Sequence, residues 1–390
     1  MLVDRWSGGD PNRAGGAYAT NVVGSIAGPL VAGFWLLPLV GEHTSIALLT
    51  VPLFLIGAIG VLRPALIGVD PLPRRVRVAI VPALAVLALA LVTTTRSFET
   101  LFPDRVIRRD HTATVVASGT GMDRDLRING IRTTRLTPVT KWMAHLPLAF
   151  LDRPPADALT ICFGMGTTFR SLLSWDVNAT AVELVPSVPA LFPYYHADAA
   201  ALAASPKARI VVDDGRRFLE RSRESYDVIV VDPPDPPEAA GSSQLYSREF
   251  YAIVRARLRP GGILHQWIPT TDVATVASVT KAVGESFSQV RAFPVVNRRP
   301  ELEVIGVHFL ASDRTIPRFT PRELAQRMPP AAVRDLLEWP FGNTAEQVFS
   351  VLLGYETPID ALIALARWAP TLADDRPFNE YFFLRRWLLM

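Results

Sequence analysis

Between Arg13 and Glu42 the chain carries no charged residue, a run long enough to cross a bilayer core of roughly 30 Å, which takes about 20 apolar helical residues. Two more uncharged runs follow at 44–62 (TSIALLTVPLFLIGAIGVL) and 78–95 (VAIVPALAVLALALVTTT). A signal peptide is the alternative for the first run, but the run is too long and two further candidate spans lie behind it. The expectation is a membrane region over 1–98, with three transmembrane helices at about 20–40, 44–62 and 78–95. Gly24, Gly28 and Gly33 recur at the small-residue spacing that lets helix backbones approach in lipid. With no charged group inside them, these helices offer no ion path or proton relay, which argues against transport by them alone.

The connector at 63–77 carries Arg63, Arg74, Arg75 and Arg77, so the positive-inside rule places it in the cytoplasm. Three spans would then put everything after residue 96 outside. Arg96, Arg105, Arg108 and Arg109 also follow the third span, so both of its ends are positive and the rule discriminates poorly.

From about residue 105 the pattern becomes that of a soluble α/β protein. His111–Val116 and Leu126–Asn129 read as short strands around SGTGMDRD, a small β-hairpin region over 105–150. Ala156–Phe163, Ala179–Leu184, Arg209–Val212, Tyr226–Val231, Gly262–Trp267 and Val304–Leu310 read as buried strands separated by helical or proline-containing segments. Continuous apolar strands alternating with helices imply a mostly parallel sheet covered on both faces. The fold class is therefore α/β, a Rossmann-like doubly wound sheet over 151–312, followed by a helical extension over 313–390. Residues 331–368 read as two amphipathic helices around the turn WPFGNT.

Such sheets bind ligands beyond the carboxyl ends of their strands, and four successive strand ends carry suitable groups. Gly164 and Gly166 end the first, where glycine lets backbone approach a ligand, although a tight turn explains them equally well. Glu183 ends the second, at the place where an acid holds ribose hydroxyls in dinucleotide folds; a solvated surface acid is the plain alternative. Asp213, Asp214 and Gly215 end the third and could equally be a helix cap. Asp232 and Asp235, within DPPDPP, end the fourth. A rigid proline loop explains them too, but two carboxylates at an active edge suit proton acceptance or binding of a cationic amine.

Other chemistries find less support. The six histidines show no close metal-ligand spacing, so no metal is expected. His145 reads as a packing or hydrogen-bonding residue near the pocket. Cys162 falls in an expected buried strand and reads as inert. Net charge is +3 with only Lys141, Lys207 and Lys281 as lysines, and no basic cluster with interleaved aromatics, so no nucleic-acid partner is expected.

The ordered series MAHLPLAF, ICFGMGTTFRSLLS, AVELVPSV, ARIVVDDGRRFL, YDVIVVDPPDPPEAAGSSQLYSREFY and LRPGGILHQW resembles the spermidine synthase family of aminopropyltransferases over roughly 105–312. GGAYATNVVGSIAGPLVAGFWLLPLVG and the tail DDRPFNEYFFLRR are similar to bacterial fusions of a major-facilitator-like membrane region with such a domain. The resemblance implies a class I methyltransferase-like fold and a co-substrate that is decarboxylated S-adenosylmethionine or S-adenosylmethionine. It places Gly164, Gly166 and Thr167 at the amino-acid or aminopropyl end, Glu183 on the ribose, and Asp213 or Asp214 with Gly215 on the adenine. It makes Asp232 and Asp235 the catalytic acids, with Tyr246 and His145 at the substrate pocket.

Departures stand beside the likeness. Thr167-Thr168 stand where the family carries an aspartate, and Thr140-Lys141-Trp142-Met143 replace a tyrosine and an acid that hold the polyamine. The expectation is a membrane-anchored aminopropyltransferase acting on a small-molecule amine such as putrescine. An S-adenosylmethionine-dependent methyltransferase and a non-enzymatic membrane sensor or transporter-associated domain are the alternatives. The lipid bilayer is an expected partner, and the resemblance adds a homo-oligomer. Because the co-substrate is cytosolic, the soluble domain is expected on the cytoplasmic side of the inner membrane, with the chain multi-pass.

Overall fold

A computed structural model describes residues 7–63, 73–233, 236–270, 272–297, 303–382, 384 and 387. The chain divides into two compact units, Met1–Val116 and Ala117–Met390.

In the first unit, α1 (Pro11–Val31) starts on Asp10, whose carboxylate accepts the Asn12 N–H at 2.9 Å, and runs through a π-turn at Ala32–Leu36 into α2 (Leu37–Leu62). The break expected at 41–43 is one residue, Gly41, at φ 78° and ψ 174°. After the connector, whose residues 64–72 lie outside the described ones, comes α3 (Arg74–Thr94). The glycine at 57 lets α2 approach α3 closely: a Cβ there would lie 3.9 Å from Leu84 Cδ1. Pro11–Leu62 and Arg74–Thr94 are both long and apolar enough to cross a membrane, by length and composition alone. Their large side chains point outward, Leu39 at 77% and Leu53 at 68% exposure. Strands β1 (Val106–Arg109) and β2 (Thr114–Ser118) follow.

The second unit opens with β3 (Asp125–Ile128) and β4 (Ile131–Arg135), an antiparallel hairpin turning at Asn129-Gly130. Both turn residues have positive φ, 51° and 84°, the twist-matched geometry that favours Asn-Gly. The strands expected on either side of SGTGMDRD are there as β2 and β3, and a further tight hairpin lies at 125–135. Helix α4 (Pro138–Phe150) follows, capped by Thr137 and buried along almost its whole length.

Seven strands form the main sheet: β5 (Asp157–Ile161), β6 (Asn178–Glu183), β7 (Ala208–Val212), β8 (Tyr226–Val231), β9 (Leu258–Pro269), β10 (Gln289–Asn297) and β11 (Glu303–Ser312). Their order is β10-β11-β9-β8-β5-β6-β7. β5 to β9 are parallel, and β11 and β10 add antiparallel at one edge. This is the expected doubly wound sheet. β10 was not expected, because Arg291 and Pro294 interrupt its apolar pattern. An edge strand tolerates proline, and Arg291 pairs with Glu356 at 2.7 Å while lying 4.5 Å from the Phe150 ring centre.

Every residue of β8 is buried, as a strand covered on both faces requires. The crossovers are α5 (Thr167–Leu173), α6 (Gly215–Arg221), α7 (Arg248–Arg257) and α8 (Val273–Ser286). Phe218, Phe250, Val254, Val276 and Val283 from three of them share one core with Leu159, Ile161, Ile229 and Leu264. The extension holds α9 (Pro321–Arg327), α10 (Pro330–Leu337), α11 (Ala345–Gly354) and α12 (Ile359–Ala364). The two helices expected over 331–368 are thus three, because Tyr355–Pro358 interrupts the second.

Candidate functional site

The central strand β5 pairs with β6 on one side and β8 on the other, so the chain reverses direction across the sheet at β5. A crevice forms beyond the carboxyl ends at such a point. Main-chain bonds align the strand ends: Cys162 N donates to Val182 O (2.9 Å), Asp213 N to Glu183 O (3.1 Å) and Asp232 N to Ile161 O (3.2 Å). Above them lies a cavity of about 730 Å³, whose lining includes Gly164, Glu183, Asp214, Gly215 and Asp232. Four of the strand ends singled out from sequence therefore meet at one place.

Glu183 is the most constrained of these acids. Its Oε2 accepts the N–H of Phe163 at 2.9 Å and of Gly164 at 3.4 Å, and Oε1 accepts that of Val185 at 3.0 Å. Burial pushes its carboxyl pKa up, against the lowering effect of these main-chain donors. Asp214 caps α6 by accepting the Arg217 N–H at 2.8 Å, so both readings of this acid, cap and cavity wall, describe the same side chain. Gly215 is required sterically, since a Cβ there would lie 2.3 Å from Ile161 Cγ2.

Other expected residues sit elsewhere. Asp213 is outside the cavity lining and pairs with Arg217; burial raises its carboxyl pKa, but the Arg217 bond, the Asp214 N–H and the charges of Arg217 and Arg221 together outweigh this and hold it low. Gly166 shapes the loop: at φ 78° its Cβ would strike the Phe192 ring at 2.4 Å. Thr167 is buried, 3.2 Å from His196 Nε2, and does not line the cavity. Tyr246 is fully buried in the core with Phe250 and Ile268. Asp235 lies outside the described residues.

His145 joins a buried polar network. Its Nε2 lies 2.8 Å from Asp335 Oδ2, and its Nδ1 accepts the Trp175 indole N–H at 2.8 Å. Lys141, which would repel a cationic substrate in the pocket, is turned away from it: its Nζ donates to Asp335 O at 2.6 Å and Glu338 Oε2 at 2.5 Å. Arg170 Nη1 joins at 2.5 Å from Asp335 Oδ1. The same network is what holds α10 against α4 and α5.

Several wall residues carry no sequence signal. Arg132, Thr134 and Arg135 from β4 line the cavity, as do Ala239–Leu245 in part and Trp267. Cys162 lies one residue past β5 with φ 71° and also lines it; burial, then Glu183, Asp232 and Asp214, push its thiol pKa well up, so it remains a thiol. The loop after β8 is fastened by the far C-terminal segment. Asn379 Nδ2 donates to Pro237 O at 2.5 Å and Ser242 Oγ at 2.8 Å, Glu380 accepts the Ser243 N–H at 3.1 Å, and Asp374 accepts from Ser247 Oγ at 2.6 Å.

Comparison with known proteins shows what this domain is similar to. The sequence profile described as "Spermine/spermidine synthase domain" matches residues 137–305. "Polyamine aminopropyltransferase 2" of Hyperthermus butylicus is 29% identical over 215 residues, covering 53% of this chain and 69% of the relative. "Polyamine aminopropyltransferase" of Corynebacterium efficiens is 30% identical over 288 residues, covering 67% of this chain and 53% of the relative. The chain therefore spans between about half and two thirds of the length of these two relatives. Among solved structures, spermidine synthase from Thermotoga maritima superposes with a TM-score of 0.52 at 19% identity, covering 67% of this chain and 87% of that one, which shows the shared fold. Residues 137–305 of the α/β domain are thus similar to the spermidine synthase family, whose fold the domain shares.

Proposed function

We propose that the chain is a membrane-anchored aminopropyltransferase, moving the aminopropyl group of decarboxylated S-adenosylmethionine to an amine. The observation that carries the reading is Asp232 at the end of β8, lining one cavity with Glu183, Asp214 and Gly164. The four groups suit a sulfonium nucleoside: Glu183 for the ribose hydroxyls, Asp214 with Gly215 for the adenine, and Gly164 for the tail. Asp232 takes the proton of the acceptor ammonium, with Asp235 as the second acid of that loop. The freed nitrogen lone pair forms a C–N bond at the carbon beside the sulfonium as the C–S bond breaks, and methylthioadenosine leaves with both bonding electrons. Alignment of the two reactants supplies most of the remaining acceleration. Gly166, Thr167, Tyr246 and His145 serve as framework: Gly166 and Thr167 shape the loop, Tyr246 packs in the core and His145 bonds to Asp335 and Trp175.

The helical stretches Pro11–Leu62 and Arg74–Thr94 support anchoring in the bilayer, and a cytosolic co-substrate supports a cytoplasmic domain. Mass spectrometry after incubating detergent-purified protein with both sulfonium nucleosides and a set of amines tests the reaction. Methylthioadenosine plus an amine heavier by one aminopropyl group, both lost in Asp232→Asn, is the expected result. Adenosylhomocysteine, or no product, overturns it. Cysteine-accessibility labelling of an engineered site after residue 312 tests sidedness.

A further inference from the structure

Among the described residues, acids and arginines around the cavity are equal in number. Its lining carries three described acids, Glu183, Asp214 and Asp232, and three arginines, Arg132, Arg135 and Arg216. Glu183 is occupied by three main-chain donors and Asp214 caps α6. Asp232 lines the same cavity at the end of β8, where it can receive one ammonium. A diamine has a second ammonium, and β4 and α4 contribute Arg132, Thr133, Thr134, Arg135, Thr137, Val139, Thr140 and Met143 to the lining without a single acid.

The arginines differ among themselves. Arg216 is held by Asp374, with Nη1 and Nη2 2.8 and 2.6 Å from its two oxygens, and by Glu220 at 3.3 Å. Arg132 and Arg135 are exposed at the cavity and form no ion pair among the described residues. Arg135 stands opposite Asp125 in the hairpin, but that carboxylate is taken by Arg127 Nη2 at 2.6 Å and Ser118 Oγ at 2.5 Å. Thr134, between the two arginines, faces the glycine loop: a Cβ on Gly164 would meet its Cγ2 at 3.9 Å. Two arginines without an ion pair among the described residues therefore line the cavity together with Gly164 and Asp232. A guanidinium fork is shaped for a carboxylate.

We propose that Arg132 and Arg135 bind a carboxylate carried by one of the two substrates. The inference rests on the transferase site proposed above: a carboxylate on the acceptor deepens that reading, whereas one on the donor would replace decarboxylated S-adenosylmethionine in it. The carboxylate belongs either to the donor, as in S-adenosylmethionine itself, or to the acceptor, as in an α-amino acid with a terminal amine. Two matched pairs separate these sources, because each differs by one carboxylate: S-adenosylmethionine against its decarboxylated form, and ornithine against putrescine.

The experiment is titration calorimetry on the full-length, detergent-solubilised protein and on the Arg132→Gln/Arg135→Gln double variant. Methylthioadenosine is titrated first, and the two amines are then titrated into protein saturated with it. The expected result is tighter binding of the carboxylate-bearing member by about tenfold or more in one pair, with the preference lost in the double variant. Methylthioadenosine, which lacks the carboxylate, binds both proteins equally. Tighter binding of the decarboxylated members in both pairs, or a preference that survives the double substitution, overturns the proposal while leaving the transferase reading intact. Failure of methylthioadenosine to bind the unsubstituted protein overturns both.

Discussion

Glu183 Oε2 receives the main-chain N–H of Phe163 at 2.9 Å, so the acid at the end of β6 holds the loop that leaves β5. Glu183→Ala would leave the donors of Phe163, Gly164 and Val185 without their acceptor. The expected cost is about 1–3 kcal/mol of unfolding free energy, read by urea denaturation, together with loss of measurable methylthioadenosine binding. Binding that survives in a folded variant would remove the ribose role from this residue.

A second prediction concerns Asp335, which is buried among Lys141, His145, Ser171 and Arg170. Burial raises its carboxyl pKa, but the His145 bond, then Lys141 and Ser171, outweigh this and hold it far below the usual range. Asp335→Ala leaves the Lys141 ammonium, fully shielded from solvent, with Glu338 as its remaining charged partner. The expected destabilisation is about 3–5 kcal/mol. A loss below about 1 kcal/mol would show that the network is replaceable.

Acid sensitivity follows from the histidines. His196 is lowered to about 4, by burial first and Arg170 second; burial lowers His265 to about 3, and burial with the neighbouring His265 lowers His308 well below its ordinary value. The unfolded chain takes up protons near pH 6.5 and the folded one does not, so stability is full above that pH and declines as pH falls from 6.5 toward 4. His196 alone accounts for a loss on the order of 3 kcal/mol across that window. Chemical denaturation at pH 7.5 and 5.0 should show a smaller difference in His196→Gln than in the unsubstituted protein. An equal difference would assign the decline to other groups.

Two glycines at the crevice should rank by geometry. Gly166→Ala meets both a left-handed backbone, worth about 1–2 kcal/mol, and the Phe192 ring at 2.4 Å. Gly215→Ala meets only Ile161 at 2.3 Å, an overpacking cost of about 1–3 kcal/mol. Gly166→Ala is therefore the more destabilising in thermal melts. The reverse order would mean that the Ile161 contact is the stiffer.

Asn379 fastens the loop after β8 through Pro237 O and Ser242 Oγ. Asn379→Ala should speed limited proteolysis between residues 236 and 246 severalfold while shifting global stability by about 1–2 kcal/mol. Unchanged cleavage would show that Glu380 and Asp374 hold the loop without it.

The strand ends were readable from sequence because each carries a local signal: an apolar run, then glycine or acid. Gly164, Glu183, Asp214, Gly215 and Asp232 meet at the cavity for that reason. What could not be read depends on contacts distant in the chain. His145 and Lys141 turn inward because Asp335 and Glu338, nearly two hundred positions later, supply their partners. Arg132 and Arg135 look like ordinary surface charge until β4 is placed against the glycine loop. β10 escaped notice because the sheet edge forgives a proline that a central strand would not. The Asn129-Gly130 turn did carry a local signal, and it marks the hairpin more sharply than the polar stretch before it.

The fastening of the loop after β8 also sets an order in time. Its partners Asn379 and Glu380 lie 137 positions beyond Ser242 and Ser243. At about 5–20 residues per second, a ribosome reaches them roughly 7 to 30 s after the loop itself has been made. The strands can pair and the glycine loop can close during that interval, but this wall of the cavity waits until residues 379 and 380 have been made. A nascent chain of this protein thus holds the β5–β7 side of the cavity before the loop after β8 is fastened, and the wall is complete only once that later segment has folded onto it.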